Sequence, residues 1–385
     1  MPGPEELAGL VEEIAQEALE LRRLLHRYPE PAQREHRTTE LIGRFLETRG
    51  LQFYDRHPKT GGWVDIGNEP RAVGFRADID ALPIREPEEN SPRSETEGWM
   101  HACGHDAHAA IAAGIAVVLA RLDLDAGFRI IFQPAEEAFP GGAVELVDEG
   151  VVDGLAALLA FHVDPALRVG RIGSRVGAIT AGADALTIVI HGPGGHTSRP
   201  HKTVDLIGAA ARVAAELPNA IRTSIDARSA IVTAFGSIHG GDAANVIPTE
   251  VVLKGTVRTL DPGLWDVLPS LVDKTLGSIL ALSGAGYTLD YRQGIAPVVN
   301  DGPIVNAATK AIRSALGADT VVDTGTSMGG EDFSSYLTVT RGALLRLGAA
   351  SGGGDLHSAS FAFNESALPF AIHAGVTALI GLSRS

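Results

Sequence analysis

The sequence predicts an α/β fold: a mostly parallel sheet with helices on both faces, into which a ferredoxin-like α+β domain is inserted. Three observations carry this expectation. Short apolar runs alternate with helical patterns over residues 1–179 and again over 293–385, as the strands and crossover helices of a parallel sheet do. The stretch 180–292 has a different rhythm, β-α-β-β-α-β. The 385 residues also exceed what one hydrophobic core usually serves, so two domains are expected.

Residues 5–27 predict a helix, because Leu7, Leu10, Val11, Ile14, Ala18, Leu21 and Leu25 recur at helical spacing and Pro29 and Pro31 end it. A second helix fits 36–49 and stops at Gly50. Strands are expected at 71–76, 127–132, 155–161 and 342–348, and helices at 106–122, 142–150, 303–316 and 364–383. Within the insertion, 184–191 alternates Leu186, Ile188 and Ile190 with polar or small neighbours, the pattern of a half-exposed strand. A helix at 203–217 puts Val204, Ile207, Ala211, Ala214 and Leu217 on one side. Strands at 230–238 and 246–258, a helix at 262–282 and a strand near 286–292 complete the order. The acidic run 85–98 reads as a solvated loop.

Composition narrows the function classes. Hydrophobic residues make up 45% and charged residues 21%, which suits a globular protein with a sizeable core. A net charge of −15 argues against a nucleic-acid partner, since a phosphate backbone needs a basic footprint. No apolar stretch has bilayer-spanning length, so no membrane partner is expected. The opening MPGPEELAGLVEEIAQ lacks the basic-then-apolar pattern of a signal peptide, and a cytoplasmic location is the expectation. The single cysteine, Cys103, excludes an intramolecular disulfide and leaves three options: a buried filler, a nucleophile or a metal ligand.

The residues of chemical interest fall just beyond the expected strands. Asp78 and Asp80 follow 71–76, Glu136 and Glu137 follow 127–132, His162 follows 155–161, and His357 follows 342–348. Open α/β sheets bind ligands outside the carboxyl ends of their strands. Cys103 and His105 stand at the entry to the helix at 106–122, with Gly104 allowing a turn between them. Each has a plainer structural reading: Asp106 as a helix cap, His105 or His108 as surface residues, Glu136 and Glu137 as an exposed pair. Together, thiolate, imidazole and carboxylate from separate strand ends make a donor set for zinc and similar divalent ions.

The motifs MHACGHDAH (100–108), FRADIDALPI (75–84), FQPAEE (132–137), FHVDP (161–165), GPGGHTSRPH (192–201), NVIP (245–248), GTVRT (255–259), GGEDF (329–333) and LHS (356–358) give the chain a specific likeness. Along nearly its whole length it resembles the M20 metallopeptidase family, most closely the amidohydrolase branch with its N-acyl-amino-acid and hippurate hydrolases. The resemblance implies a two-metal catalytic domain, 1–179 and 293–385, and an inserted lid and dimerisation domain, 180–292. It implies Cys103, His105, Glu137, His162 and His357 as ligands of two divalent ions, Glu136 as general base, and Asp80 as a carboxylate supporting a ligand. Zinc suits this mixed donor set, and manganese, cobalt or nickel would fit it too. Asp78 stands where other M20 branches carry a metal-binding histidine, and its role is left open. His196 and Asn245 are the candidate oxyanion donors, and the resemblance implies that they reach the site from a partner subunit; Arg258 and Glu331 are candidate substrate contacts. His108 and His201 are left outside the catalytic set.

The expected activity is hydrolysis of a small N-acyl amino acid by a homodimer. A dipeptidase or an N-acetyldiaminopimelate-type deacetylase is the alternative within the family. Two further readings stand beside it: a thiol amidase with Cys103 as nucleophile, which leaves Glu137, His162 and His357 without a shared purpose, and a ligand-binding pseudoenzyme, against which the intact donor set and Glu136 speak.

Overall fold

The computed structural model describes residues 3–67 and 73–384. The chain divides into two compact units. The first comprises the chain as far as Gly177, with Val299–Gly325 and the stretch from Ser335 onward; the second comprises Ala178–Val298 and Thr326–Ser334.

The first unit is built on an eight-stranded mixed sheet. Its order is Phe53–Asp55, Gly62–Ile66, Phe128–Gln133, Val73–Asp78, Ala157–Asp164, Gly342–Gly348, Ile172–Ser174, Val321–Asp323. Its middle, from Phe128–Gln133 to Gly342–Gly348, is parallel. Every residue of Val73–Asp78 is buried, which requires cover on both faces and explains why this run reads as apolar rather than alternating. The helix His105–Ala120 packs against Pro4–Arg27, Ala367–Leu382 and Val73–Asp78. It is buried from His105 through Leu119, with no polar face.

The second unit is a four-stranded antiparallel sheet in the order Ile231–His239, Glu250–Thr259, Gly182–His191, Gly286–Ile295. The helices Leu206–Thr223 and Pro262–Leu280 pack on each other and on the sheet. Leu186, Ile188 and Ile190 alternate inward into a core with Val213, Leu253 and Leu268. This is the ferredoxin-like order expected from the sequence.

Several boundaries differ from the expectations, each for a local reason. Arg71 and Ala72, the expected start of one strand, lie outside the described residues. Asp78 is the last residue of its strand, and His162 lies within Ala157–Asp164 rather than beyond it. The run 246–258 splits at Pro248, which has no N–H for a ladder: Val246–Ile247 pairs with Gly195–His196, and Glu250–Thr259 joins the main sheet. The helix expected at 203–217 starts after Asp205, whose carboxylate accepts the Gly208 N–H, and continues through Pro218 to Thr223 with Ile221 buried. Strands of three residues, such as Ile172–Ser174 and Val321–Asp323, are too short to show a period. In the 85–98 loop Glu86 turns inward and accepts hydrogen bonds from Asn90 and the Ser94 N–H. Among the described residues no helix is long and apolar enough to cross a membrane.

Candidate metal centre

The strand ends and one helix start of the first unit bring Cys103, His105, Glu136, Glu137, His162 and His357 together. Cys103 Sγ lies 3.5 Å from His162 Nε2 and 3.3 Å from His357 Nε2. Glu137 Oε1 is 3.1 Å from His357 Nε2. Four groups within the first unit each gather their donor atoms within 4.8 Å: Cys103, His105 and His162; Asp78, His105 and His108; Cys103, Glu137 and His357; His105, Glu136 and Glu137. Shared members make these one continuous cluster.

The local backbone explains the convergence. Gly104 precedes the helix at φ 82°, a left-handed conformation, and a Cβ there would stand 2.7 Å from Val163 Cγ2. Only glycine therefore lets Cys103 and His105 face the same volume from either side of the turn. Opposite, the His357 N–H donates to the Ala102 carbonyl at 2.9 Å, tying the loop after Gly342–Gly348 to that turn.

Hydrogen bonds fix which nitrogen each imidazole presents. His105 Nδ1 lies 3.0 Å from the Asp80 carbonyl and 3.1 Å from Asp80 Oδ1; His162 Nδ1 lies 2.9 Å from the Val163 carbonyl. A carbonyl only accepts, so each Nδ1 carries the proton and each Nε2 keeps a lone pair toward the cluster. His105 Nε2 is buried without a hydrogen-bond partner among the described residues. Buried polar atoms are rarely left so, and a cation is the partner it fits. The thiol adds to this: burial pushes Cys103 up to about 12, and a bound divalent ion would offset that by stabilising the thiolate.

A second layer was not foreseen. Arg76 donates to Asp78 Oδ2 at 2.7 Å, and His108 Nδ1 sits 2.6 Å from Asp78 Oδ1. His108 Nε2 accepts the Val163 N–H at 3.0 Å, so its proton is on Nδ1 and points at Asp78. Burial alone would raise the Asp78 carboxyl, yet His105, Arg76 and His108 hold it well below the usual carboxylate range. Both Asp78 oxygens are thus engaged, and the chain Arg76–Asp78–His108 ends on the backbone beside His162. The spacing of His108, three residues after His105 on one helix, was the signal available; the rings stack at 5.5 Å. Asp106 is not a cap: Arg22 and His26 contact its Oδ2 at 2.8 and 2.7 Å.

The other candidates lie in the second unit. His196 and Asn245 are exposed neighbours: Val246 pairs with His196, and the Thr197 N–H donates to the Asn245 carbonyl at 3.1 Å. His196 Nδ1 accepts the Ser198 N–H at 3.1 Å, which leaves its Nε2–H as a free-facing donor. Arg258 donates to the Met328 carbonyl at 2.8 Å, and buried Glu331 accepts the Phe333 N–H at 3.0 Å.

The sequence matches the profile of Peptidase family M20/M25/M40 over residues 74–380. The chain belongs to this hydrolase family. A solved M20-family protein from Bacillus subtilis, described as a dinuclear metal-binding peptidase, is 32% identical with a TM-score of 0.85, covering 97% of this chain and 99% of that one. Among curated M20 relatives, the N-acyl-L-amino acid amidohydrolase of Geobacillus stearothermophilus is 37% identical over 77% of this chain and 81% of its own length. A Rhodococcus jostii protein named a putative glutamate–cysteine ligase is 40% identical over 95% of the chain, which spans 46% of that relative's length.

Proposed function

We propose that the chain hydrolyses the amide bond of a small N-acylated amino acid, releasing a carboxylic acid and the amino acid. Two divalent metal ions would be held by Cys103, His105, Glu137, His162 and His357. The observation that carries this reading is the convergence of Cys103, three imidazoles and two carboxylates, with the buried His105 Nε2 left unpartnered among the described residues. Zinc suits the thiolate, imidazole and carboxylate set; manganese, cobalt or nickel would fit it as well.

Ions bound there would supply Lewis acidity toward a carbonyl oxygen and lower the pKa of water. Glu136, half-buried beside His105 and Glu137, takes the proton of the attacking water on its carboxylate and returns it to the departing nitrogen. Asp80 holds the parts in register: its Oδ1 and carbonyl orient His105, and its Oδ2 accepts the Glu137 N–H at 2.9 Å. Asp78 and His108 orient His162 through Val163 and stay out of the metal set. The developing oxyanion takes hydrogen bonds from His196 and Asn245 of a second copy of the chain. The first unit is the catalytic domain, and the second serves as lid and dimerisation domain of a homodimer. Arg258 and Glu331 are assigned to substrate contacts.

The test is Glu136→Ala in metal-loaded protein, assayed against N-acetyl, N-benzoyl and longer N-acyl amino acids. Turnover should vanish while metal per chain stays constant. Full activity in that variant would remove Glu136 as base. Dipeptide cleavage in place of acyl release would shift the substrate to the dipeptidase alternative, and binding without any amine release would favour a ligand-binding protein.

A further inference from the structure

Among the described residues, three that are not glycine have a positive φ: Gln33 at 63°, Ala135 at 55° and His357 at 60°. L-residues avoid this region because Cβ crowds the backbone, so each needs something to hold it there. His357 is held by its N–H on the Ala102 carbonyl. The other two share one anchor. Glu35 Oε1 accepts the Gln33 N–H at 3.0 Å and the Ala135 N–H at 2.8 Å, while Oε2 accepts the Thr60 hydroxyl at 2.6 Å.

Glu35 is a charged-type side chain with 0% exposure. Burying a carboxyl is costly unless its oxygens are met, and here every donor comes from a different segment: the turn before its own helix, the Thr60 turn, and the loop 100 residues on. That loop is Pro134–Glu137, which carries the two carboxylates of the cluster. Its other fastenings include the Gly142 N–H on the Ala135 carbonyl and the Glu137 N–H on Asp80 Oδ2, both at 2.9 Å. Without the bond from Glu35, Ala135 would be free to return to an ordinary φ, and the next two side chains would leave the chain in new directions.

We propose that Glu35 is a positioning residue for the hydrolysis: by holding Ala135 in its left-handed conformation, it sets the directions of the consecutive carboxylates Glu136 and Glu137. This rests on Glu136 being the base. Glu35 itself touches none of the reacting atoms. What the position needs is an oxygen able to accept two N–H groups at once, which a glutamine amide oxygen also provides.

The experiment compares Glu35→Ala, Glu35→Gln and Glu35→Ala with Ala135→Gly in the full metal-loaded protein. It reads kcat, KM, metal per chain and hydrogen exchange at the Ala135 amide. Glu35→Ala should lose protection at Ala135 and lower kcat by about tenfold or more, since misaiming a general base forfeits much of its contribution, with KM little changed. Glu35→Gln should keep protection and most of kcat. Adding Ala135→Gly to the alanine variant should recover kcat in part, because glycine adopts that φ without help; a purely structural loss would not be repaired this way. Should Glu35→Ala not fold, Glu35→Asp, too short to reach the Ala135 N–H, carries the same expectation. A folded alanine or aspartate variant with unchanged kcat overturns the proposal, as do equal losses in Glu35→Gln and Glu35→Ala. Glu136→Gln run alongside separates the two readings: normal turnover there removes the base, whatever Glu35 does, whereas normal turnover in Glu35→Ala alone removes only the positioning role.

Discussion

The buried layer around His105 in the first unit and the pair His196 and Asn245 in the second are held in opposite ways. In the first, Asp78, Asp80, His105 and His108 are all at most 2% exposed, and hydrogen bonds commit the atoms that face away from the cluster. In the second, His196 and Asn245 stand exposed on a two-residue ladder, fixed by backbone bonds and one imidazole nitrogen. The contrast fits the work proposed for each group. Lone pairs that share a metal must converge before the metal arrives, and burial with second partners keeps them there. A donor that acts only on a developing charge needs a defined tautomer and access, and can wait in solvent until substrate is present.

Substitutions in the two units should therefore fail differently. The largest effect is expected from Glu136→Gln, which should lower kcat by about 10²–10⁴ while metal content, read by elemental analysis, is retained. Asp78→Ala should destabilise the first unit by about 3–5 kcal/mol, because it breaks a buried ion pair; urea unfolding would measure this, and a neutral result would mean that the buried layer is not what holds the site. His196→Ala should lower kcat by about 10²–10³ with melting temperature and metal content unchanged. A loss of metal in that variant would erase the contrast between the units.

The smallest effect concerns pH. Burial raises the Glu35 carboxyl from its ordinary 4.5 to about 7, against the donors that favour its charged form. The folded state thus holds this proton more tightly than the unfolded chain does. Glu35's favourable contribution is fully present below about pH 4.5 and is lost as pH rises through about 7. Glu35→Gln removes that titration, so its melting temperature should fall less than the wild type's between pH 5 and pH 8. Parallel curves would show that Glu35 does not titrate in this range.

The first unit's site was legible because its donors sit in short motifs whose members act within a few residues of each other. Cys103–Gly104–His105 is readable since the glycine and the two ligand types are adjacent. The order β-α-β-β-α-β was legible from Leu186, Ile188 and Ile190, whose alternation survives in the structure as alternating burial. What could not be read is pairing across long separations. Glu35 lies in a turn-rich stretch with no metal-binding pattern, and its bond to Ala135 spans 100 residues. Asp78 was visible as an anomaly, but its explanation needed Arg76 on the same strand face and His108 from a helix. The short strands at the sheet's far edge gave no period at all, because three residues cannot show one.

The position of Gly342–Gly348 in the sheet has a consequence for how the protein is made. This strand lies between Ala157–Asp164 and Ile172–Ser174, both of which precede the second unit in the chain. Until it is translated, the strands on its two sides lack their partner, while the inserted segment is made in between. Only when the later strand enters the gap does His357 come to stand opposite Cys103. A growing chain therefore carries Cys103, His105, Glu137 and His162 throughout the synthesis of the insertion, with His357 still to come.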